Sequence, residues 1–297
     1  MPRPHLTVIS GPTASGKTRL AIALAQRIGA EIVNADSQQV YRAFDIGTAK
    51  PSTEELRTVP HHLVSVVDPL ESFSAARFQQ LADEVIAEIA ARGRRIIVVG
   101  GTGLYVRVLL HGVVPAPPAE ADLRRALEEE ARRIGREALH RRLAEIDPET
   151  AAQVKTSDLV RIVRALEIHA LTGTTASRFR REHRFAEDRY PYRLFVLDPP
   201  RDELYRAIDE RTRRMFGEGL LEEVRSLVAR GYREAAPMRS VGYAQALACL
   251  EGSLSLEEAM ADAARATRRY AKRQLTWFRR EPGAQFLRPP WDVEALA

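Results

Sequence analysis

Cysteine occurs once, at Cys249, in a chain of 297 residues, so no intramolecular disulfide forms and no thiolate cluster holds zinc. The histidines are dispersed rather than clustered. His61 and His62 are adjacent, and in a strand they would face opposite ways, which favours a structural reading over a metal one. The amino-terminal residues contain no signal-peptide h-region, and no apolar run is long enough to cross a bilayer. A cytoplasmic protein with no membrane partner is therefore expected. Repeats and low-complexity tracts are also missing. With 45% apolar residues the chain has material for a substantial core and needs no covalent staples.

A second absence is local. Between Arg265 and Arg280 there is no acidic residue, while Arg265, Arg268, Arg269, Lys272, Arg273, Arg279 and Arg280 alternate with Tyr270, Trp277 and Phe278. Positions 265, 268, 269, 272 and 273 recur at helical spacing, which predicts a basic stripe on one helix face. Such a stripe suits a phosphate backbone; the competing reading is a solvated Arg-rich helix that buries its aromatics. The net charge of +5 agrees with an anionic partner but identifies none.

Against these absences stands one strong motif. Gly11, Pro12, Thr13, Ala14, Ser15, Gly16, Lys17 and Thr18 spell G-x-x-x-x-G-K-[ST] between an apolar run, Leu6 to Ile9, and a helical pattern from Arg19 to Arg27. In that setting the loop turns backbone N–H groups toward a diphosphate, Lys17 adds positive charge and the Thr18 hydroxyl is a ligand for Mg²⁺. It is a nucleotide-binding pattern, so ATP is one candidate occupant. Motor-type members of this class end a neighbouring strand in an acid that organises Mg²⁺ and water. Here the apolar run Ile96 to Val99 ends in Gly100. That departure points away from a hydrolytic motor and toward group transfer, which small-molecule kinases also perform.

Strand and helix patterns alternate over the first hundred residues: Leu6 to Ile9, Glu31 to Val33, Leu63 to Val67 and Arg95 to Val99, with a helix from about Ser74 to Ala91. The expectation is an α/β fold with a parallel, doubly wound sheet. After Gly112 a stretch with Pro115, Pro117 and Pro118 leads into charged helical patterns as far as about Arg189, and Tyr192 to Leu197 reads as a strand again. This predicts a first part of the core over 1–112, an inserted all-helical unit over 113–190, and the rest of the core with C-terminal basic helices over 191–297.

Ligands of such sheets bind beyond the carboxyl ends of the strands. Three of those ends carry suggestive residues: the Gly11 loop, Asp36, and Gly100-Gly101-Thr102-Gly103. Asp36 is a candidate general base; an outer-sphere Mg²⁺ group or a helix N-cap fits the local sequence equally. Thr102 either caps a helix or meets a ligand. A small-metabolite kinase and a nucleic-acid-binding protein with a nucleotide switch remain as alternatives. The extended basic surface weighs against the first, and Gly100 against the second.

The segments Gly11 to Thr18, Asp36-Ser-Gln-Gln-Val-Tyr-Arg42, Asp45-Ile-Gly-Thr-Ala-Lys-Pro51, Gly100-Gly-Thr-Gly-Leu-Tyr105, Ser240-Val-Gly-Tyr243 and Lys272-Arg-Gln-Leu-Thr-Trp-Phe278 resemble, in order and spacing, the bacterial tRNA dimethylallyltransferase family. The resemblance spans essentially the whole chain. It implies transfer of a dimethylallyl group from dimethylallyl diphosphate to N6 of the adenosine 3′ of a tRNA anticodon, with release of diphosphate and the target base extruded from its stack. It also implies Asp36 as the base for the attacking amine, Thr102 in the substrate channel, Thr13 to Thr18 and Arg211 on the diphosphate, and Thr18 on Mg²⁺. Implied tRNA contacts are Asp36, Ser37, Gln38, Gln39, Arg124, Val160, Arg161, Arg164, Arg239, Gly242, Tyr243, Lys272, Arg273, Gln274, Trp277 and Arg279, gripping the anticodon stem-loop. One departure is Ala244, where many relatives have arginine. A relative that prenylates free adenine nucleotides is the alternative the resemblance leaves, and the helical insert and the basic run Arg265 to Arg280 weigh against it. With no dimer seam in the sequence, a monomer is expected.

Overall fold

A computed structural model describes residues 3–185 and 187–296. The described residues contain a six-stranded sheet built from β1 (Leu6–Ser10), β2 (Ala30–Asn34), β3 (His61–His62), β4 (Arg95–Val99), β5 (Tyr192–Leu197) and β6 (Ala284–Leu287). The strands lie in the order β3-β2-β4-β1-β5-β6, and every pairing is parallel. Central parallel strands are covered on both faces, which is why β1, β4 and β5 read as continuous apolar runs.

Successive side chains go to opposite faces of the sheet. Leu6, Val8, Ile96, Val98, Leu194 and Val196 join one cluster with Phe78, Ile86 and Ile89 of the helix Ala75–Ala91 and with Val106 and Leu109 of the helix Gly103–His111. Ile9, Ile97, Val99, Phe195 and Leu197 join the other, against Leu20 and Leu24 of the helix Lys17–Ile28. The chain moves from β1 to β2 on one side and reaches β5 on the other, so β1 and β4 flank a crevice at their carboxyl ends.

The expected strand over Leu63 to Val67 does not form. Leu63 and Ser65 take left-handed backbone conformations (φ 59° and 54°), and only Val67 bridges, to Tyr41. The edge strand is the preceding histidine pair, in register with Ile32 and Val33. His62 Nε2 lies 2.7 Å from Glu31, and His61 Nδ1 lies 2.8 Å from the Val59 carbonyl.

The chain divides into two compact units, one of residues up to His111 and from Asp188 onward, the other Gly112–Glu187. The second holds helices Ala121–Ile134, Arg136–Ile146, Pro148–Gln153, Leu159–Thr172 and Ala176–His183 around Leu127, Leu139, Leu143, Ile162 and Leu166. Glu167 is fully buried in this unit and receives Arg124 through two bonds of 2.9 and 3.0 Å, together with Arg164 and the Glu120 amide. Burial alone would raise its pKa; the bonds from Arg124 and Arg164 outweigh this and hold the carboxyl below its usual range.

Candidate active site

The phosphate loop follows β1 directly. At Gly11 (φ 146°) a side chain would press on Leu197 at 3.0 Å from its carbonyl oxygen, and Gly16 (φ 84°) is the left-handed N-cap of the Lys17–Ile28 helix. No side chain caps that helix and its first turn has no acid. Its first intrahelical donor is the Leu20 amide, 3.1 Å from the Gly16 carbonyl. The amides of Lys17, Thr18 and Arg19 thus remain at a positive helix end, the arrangement that binds anions.

Beside this end lies a cavity of about 370 Å³. Thr13, Ala14, Gly16, Lys17 and Thr18 line it from the loop, Asn34 and Asp36 from the end of β2, Thr48, Ala49 and Pro51 from one wall, and Arg211 and Arg214 from the helix Arg201–Gly217. Desolvation is the largest influence on Lys17 and lowers its ammonium to about 8, against the pull of Asp36 and with the push of Arg211. Burial likewise lowers Arg211 to about 10, against Asp36 and with Arg214. Around the cavity Lys17, Arg19, Arg211 and Arg214 outnumber Asp36, Glu55 and Glu210, and the two most deeply buried cations, Lys17 and Arg211, leave the loop side short of negative charge. Arg211 donates to Thr13 Oγ1 at 2.5 Å and Lys17 Nζ to the Pro12 carbonyl at 3.3 Å, so both are held against the loop.

Asp36 Oδ1 accepts from the amides of Gln38 (2.8 Å) and Gln39 (3.4 Å), while Oδ2 takes no hydrogen bond from the described residues. The carboxylate is oriented by its own turn and keeps one oxygen for chemistry. Thr102, in the turn after β4, accepts from the Ser37 amide at 3.0 Å and donates to Ser37 Oγ at 3.3 Å, so it stands next to Asp36. The glycines around it serve packing. A Cβ at Gly100 would overlap the Ala35 backbone, at Gly101 the Gln274 amide, and at Gly103 the Trp277 ring.

The helix Leu256–Phe278 carries the acid-free run. Its stripe is divided: Arg265 pairs with Asp262 at 3.0 Å and Arg268 with Asp209, whereas Arg269, Lys272 and Arg273 are exposed beside Trp277 and Arg280. Arg279 opens onto a further groove with Arg201 and Arg288. Gln274 turns inward and is 5% exposed, with both amide atoms bonded to the protein. The neighbouring phenol of Tyr270 is pushed up by burial and then by the charge of Asp36.

The remaining expected RNA contacts fall into two groups. Val160 is 80% exposed, Arg161 is exposed near Asp158 (3.5 Å), and Arg239 is exposed, donating to the Glu234 carbonyl at 3.2 Å. Arg124 and Arg164, both half-buried, pair with Glu167. Gln39 donates to the carbonyls of Thr48 (3.2 Å) and Ala49 (3.0 Å), bracing the cavity wall. Gly242 is a helix N-cap at φ 98°. Tyr243 is fully buried; its hydroxyl donates to Glu223 and accepts from the Gly47 amide at 3.1 Å. The Tyr243 and Gln274 side chains are both buried, with their polar atoms bonded within the protein.

A family model described as IPP transferase matches residues 39–281. The chain belongs to the IPP transferase family. The match begins downstream of the phosphate loop, whose reading rests on its own geometry. The tRNA dimethylallyltransferase of Myxococcus xanthus is 69% identical over 98% of this chain and 94% of that protein. That of Geobacter metallireducens is 52% identical over 98% and 95%. A crystal structure of a Bacillus halodurans tRNA isopentenylpyrophosphate transferase is 42% identical with a TM-score of 0.71, over 96% of this chain and 90% of that one. A eukaryotic dimethylallyltransferase acting on tRNA reaches a TM-score of 0.81 at 27% identity, over 96% and 74%.

Two features of this IPP transferase site escaped the reading of the sequence. Arg214 faces the cavity one helical turn beyond Arg211, and their i, i+3 spacing was the available signal. The wall from Thr48 to Pro51 lies in the Asp45 to Pro51 segment of the resemblance, but its place at the cavity has no local cause, because the segment is held by distant groups: Glu223 takes the Ile46 amide at 2.8 Å.

Proposed function

We propose that this cavity carries out the family's reaction: a dimethylallyl group passes from dimethylallyl diphosphate to N6 of the adenosine 3′ of a tRNA anticodon, and diphosphate leaves. The observation that supports it most is a cation-rich phosphate cradle opening on the same cavity as an oriented carboxylate, with Gly100 where a hydrolytic enzyme of this class has an acid.

In this reading the N6 nitrogen forms a bond to the allylic C1 as the C1–O bond breaks. Asp36 Oδ2 takes the amine proton, and the departing diphosphate keeps the bonding electrons. An amine is a weak nucleophile, so positioning carries much of the rate, and the developing charge on the leaving group is met by Lys17, Arg211 and the helix-end amides. Mg²⁺ suits the residues present. Among the described residues no group of three or more His, Cys, Asp or Glu side chains gathers around a metal position, while Thr18 faces the cavity. A Mg²⁺ ion commonly rests on one or two protein oxygens, substrate phosphates and waters. When bound it neutralises diphosphate charge, with Thr18 as its protein ligand.

RNA is assigned to the exposed cations Arg269, Lys272 and Arg273, with Arg161 and Val160 in the helical unit adding to the grip on the stem-loop. Among the described residues no helix is long and apolar enough to cross a membrane, and we read the protein as a cytoplasmic monomer. The test is incubation with dimethylallyl diphosphate, Mg²⁺ and an unmodified tRNA transcript, followed by nucleoside mass analysis. A five-carbon gain on one anticodon-loop adenosine is expected. Its absence, or equal transfer to free adenosine monophosphate, overturns the reading.

A further inference from the structure

Gln274 lies 261 residues from Thr13 and 173 from Gly101, yet its amide joins them. Oε1 accepts from the Thr13 N–H at 2.9 Å, and Nε2 donates to the Gly101 carbonyl at 2.8 Å. One side is the loop that cradles the diphosphate. The other is the turn that carries Thr102 against Ser37 and beside Asp36. The approach exists only because Gly101 has no Cβ; any side chain there would overlap the amide.

We propose that Gln274 is a positioning residue that sets the donor cradle and the acceptor turn at a fixed separation, resting on the reading of the reaction given above. Both atoms of its amide are used, as a buried amide requires. Through Thr13 its influence reaches Arg211, which is bonded to the Thr13 hydroxyl. Through Gly101 it reaches Thr102. It also joins both loops to the helix whose next-door residues, Lys272 and Arg273, face outward. Reaction requires C1 and N6 to meet in line, and small misplacements of reactants cost rate steeply, on the order of 100-fold per ångström. A rigid amide between the two halves of the site is a device for preventing them.

The test is Gln274→Met, which keeps the length and removes both hydrogen bonds, compared with the parent protein in steady-state transfer and in RNA titration. Expected are a kcat lower by about tenfold or more, a raised KM for dimethylallyl diphosphate, and RNA binding at full stoichiometry within about twofold of the parent affinity. Loss of folded protein would lower the binding stoichiometry, which the titration reads directly. Should Gln274→Met fail to fold, Gln274→Glu, with the same shape and only the acceptor kept, is measured in the same way. The inference is overturned by kcat and donor KM within about twofold of the parent, or by a fall in RNA affinity alone. A parent protein that transfers no five-carbon group would refute the reaction itself, a separate outcome.

Discussion

Raising the pH from about 7 to about 9 should weaken binding of an unreactive dimethylallyl diphosphate analogue roughly tenfold, or ~1.4 kcal/mol. The reason is Lys17, whose ammonium is brought to about 8 by desolvation in the free protein. A bound diphosphate supplies the missing counter-charge and restores the ammonium, so the complex holds a proton that the free protein progressively lacks above that value. Affinity therefore falls as pH rises. The fraction protonated drops from about nine-tenths to about one-tenth over this window. The window also lies below the titration of Arg211 at about 10, which keeps the two cations separable. The ligand contributes little, because a phosphate monoester loses its second proton near pH 6 or so. Calorimetry in two buffers of different ionisation enthalpy should show proton uptake near pH 8 for the parent and none for Lys17→Met. Equal affinity at both pH values, or the same slope in Lys17→Met, would refute the assignment of this proton to Lys17.

Asp36→Ala should reduce turnover by roughly 10²–10⁴-fold while RNA affinity stays close to that of the parent, measured by transfer kinetics and filter binding; near-normal turnover removes Asp36 from proton transfer. Neutralising Lys272 and Arg273 together should weaken RNA binding and lower the log–log salt slope by about 0.7–0.9 for each phosphate that is no longer neutralised; an unchanged slope makes the exposed face a solvated one. Tyr243→Phe leaves the Gly47 amide and Glu223 without their shared partner and should cost ~1–3 kcal/mol in urea unfolding. If it lowers RNA affinity with no loss of stability, Tyr243 acts as an RNA contact.

The parts of the fold legible in the sequence are those whose cause is local or periodic. Strands β4 and β5 cover the segments expected as strands and end where their apolar runs do, because both faces of those runs are covered. The phosphate loop was legible for the same reason: its glycines, its lysine and the helix that follows are contiguous. The edge strand was not. Leu63 to Val67 has strand-like composition, yet left-handed turns at Leu63 and Ser65 give the pairing to the polar histidines before it.

The basic helix shows the same limit from another side. Arg268 and Arg273 look alike in sequence, and only the fold reveals that Asp209, 59 residues away, neutralises the first. Likewise only the fold reveals that Arg124 and Arg164 share the buried Glu167. Gln274 belongs with these: spacing identifies it as one polar residue of a helix, and its meaning comes from two partners in distant loops.

In the proposed reaction one cavity brings an allylic diphosphate and an RNA amine together. The decisive measurement is a ternary structure with an unreactive allylic diphosphate and an anticodon stem-loop oligonucleotide. Expected are diphosphate oxygens on the amides of Lys17 and Thr18, and an extruded adenine whose N6 lies about 2.6–3.2 Å from Asp36. An adenine still stacked in its loop, or an N6 remote from Asp36 with the diphosphate in place, would contradict it.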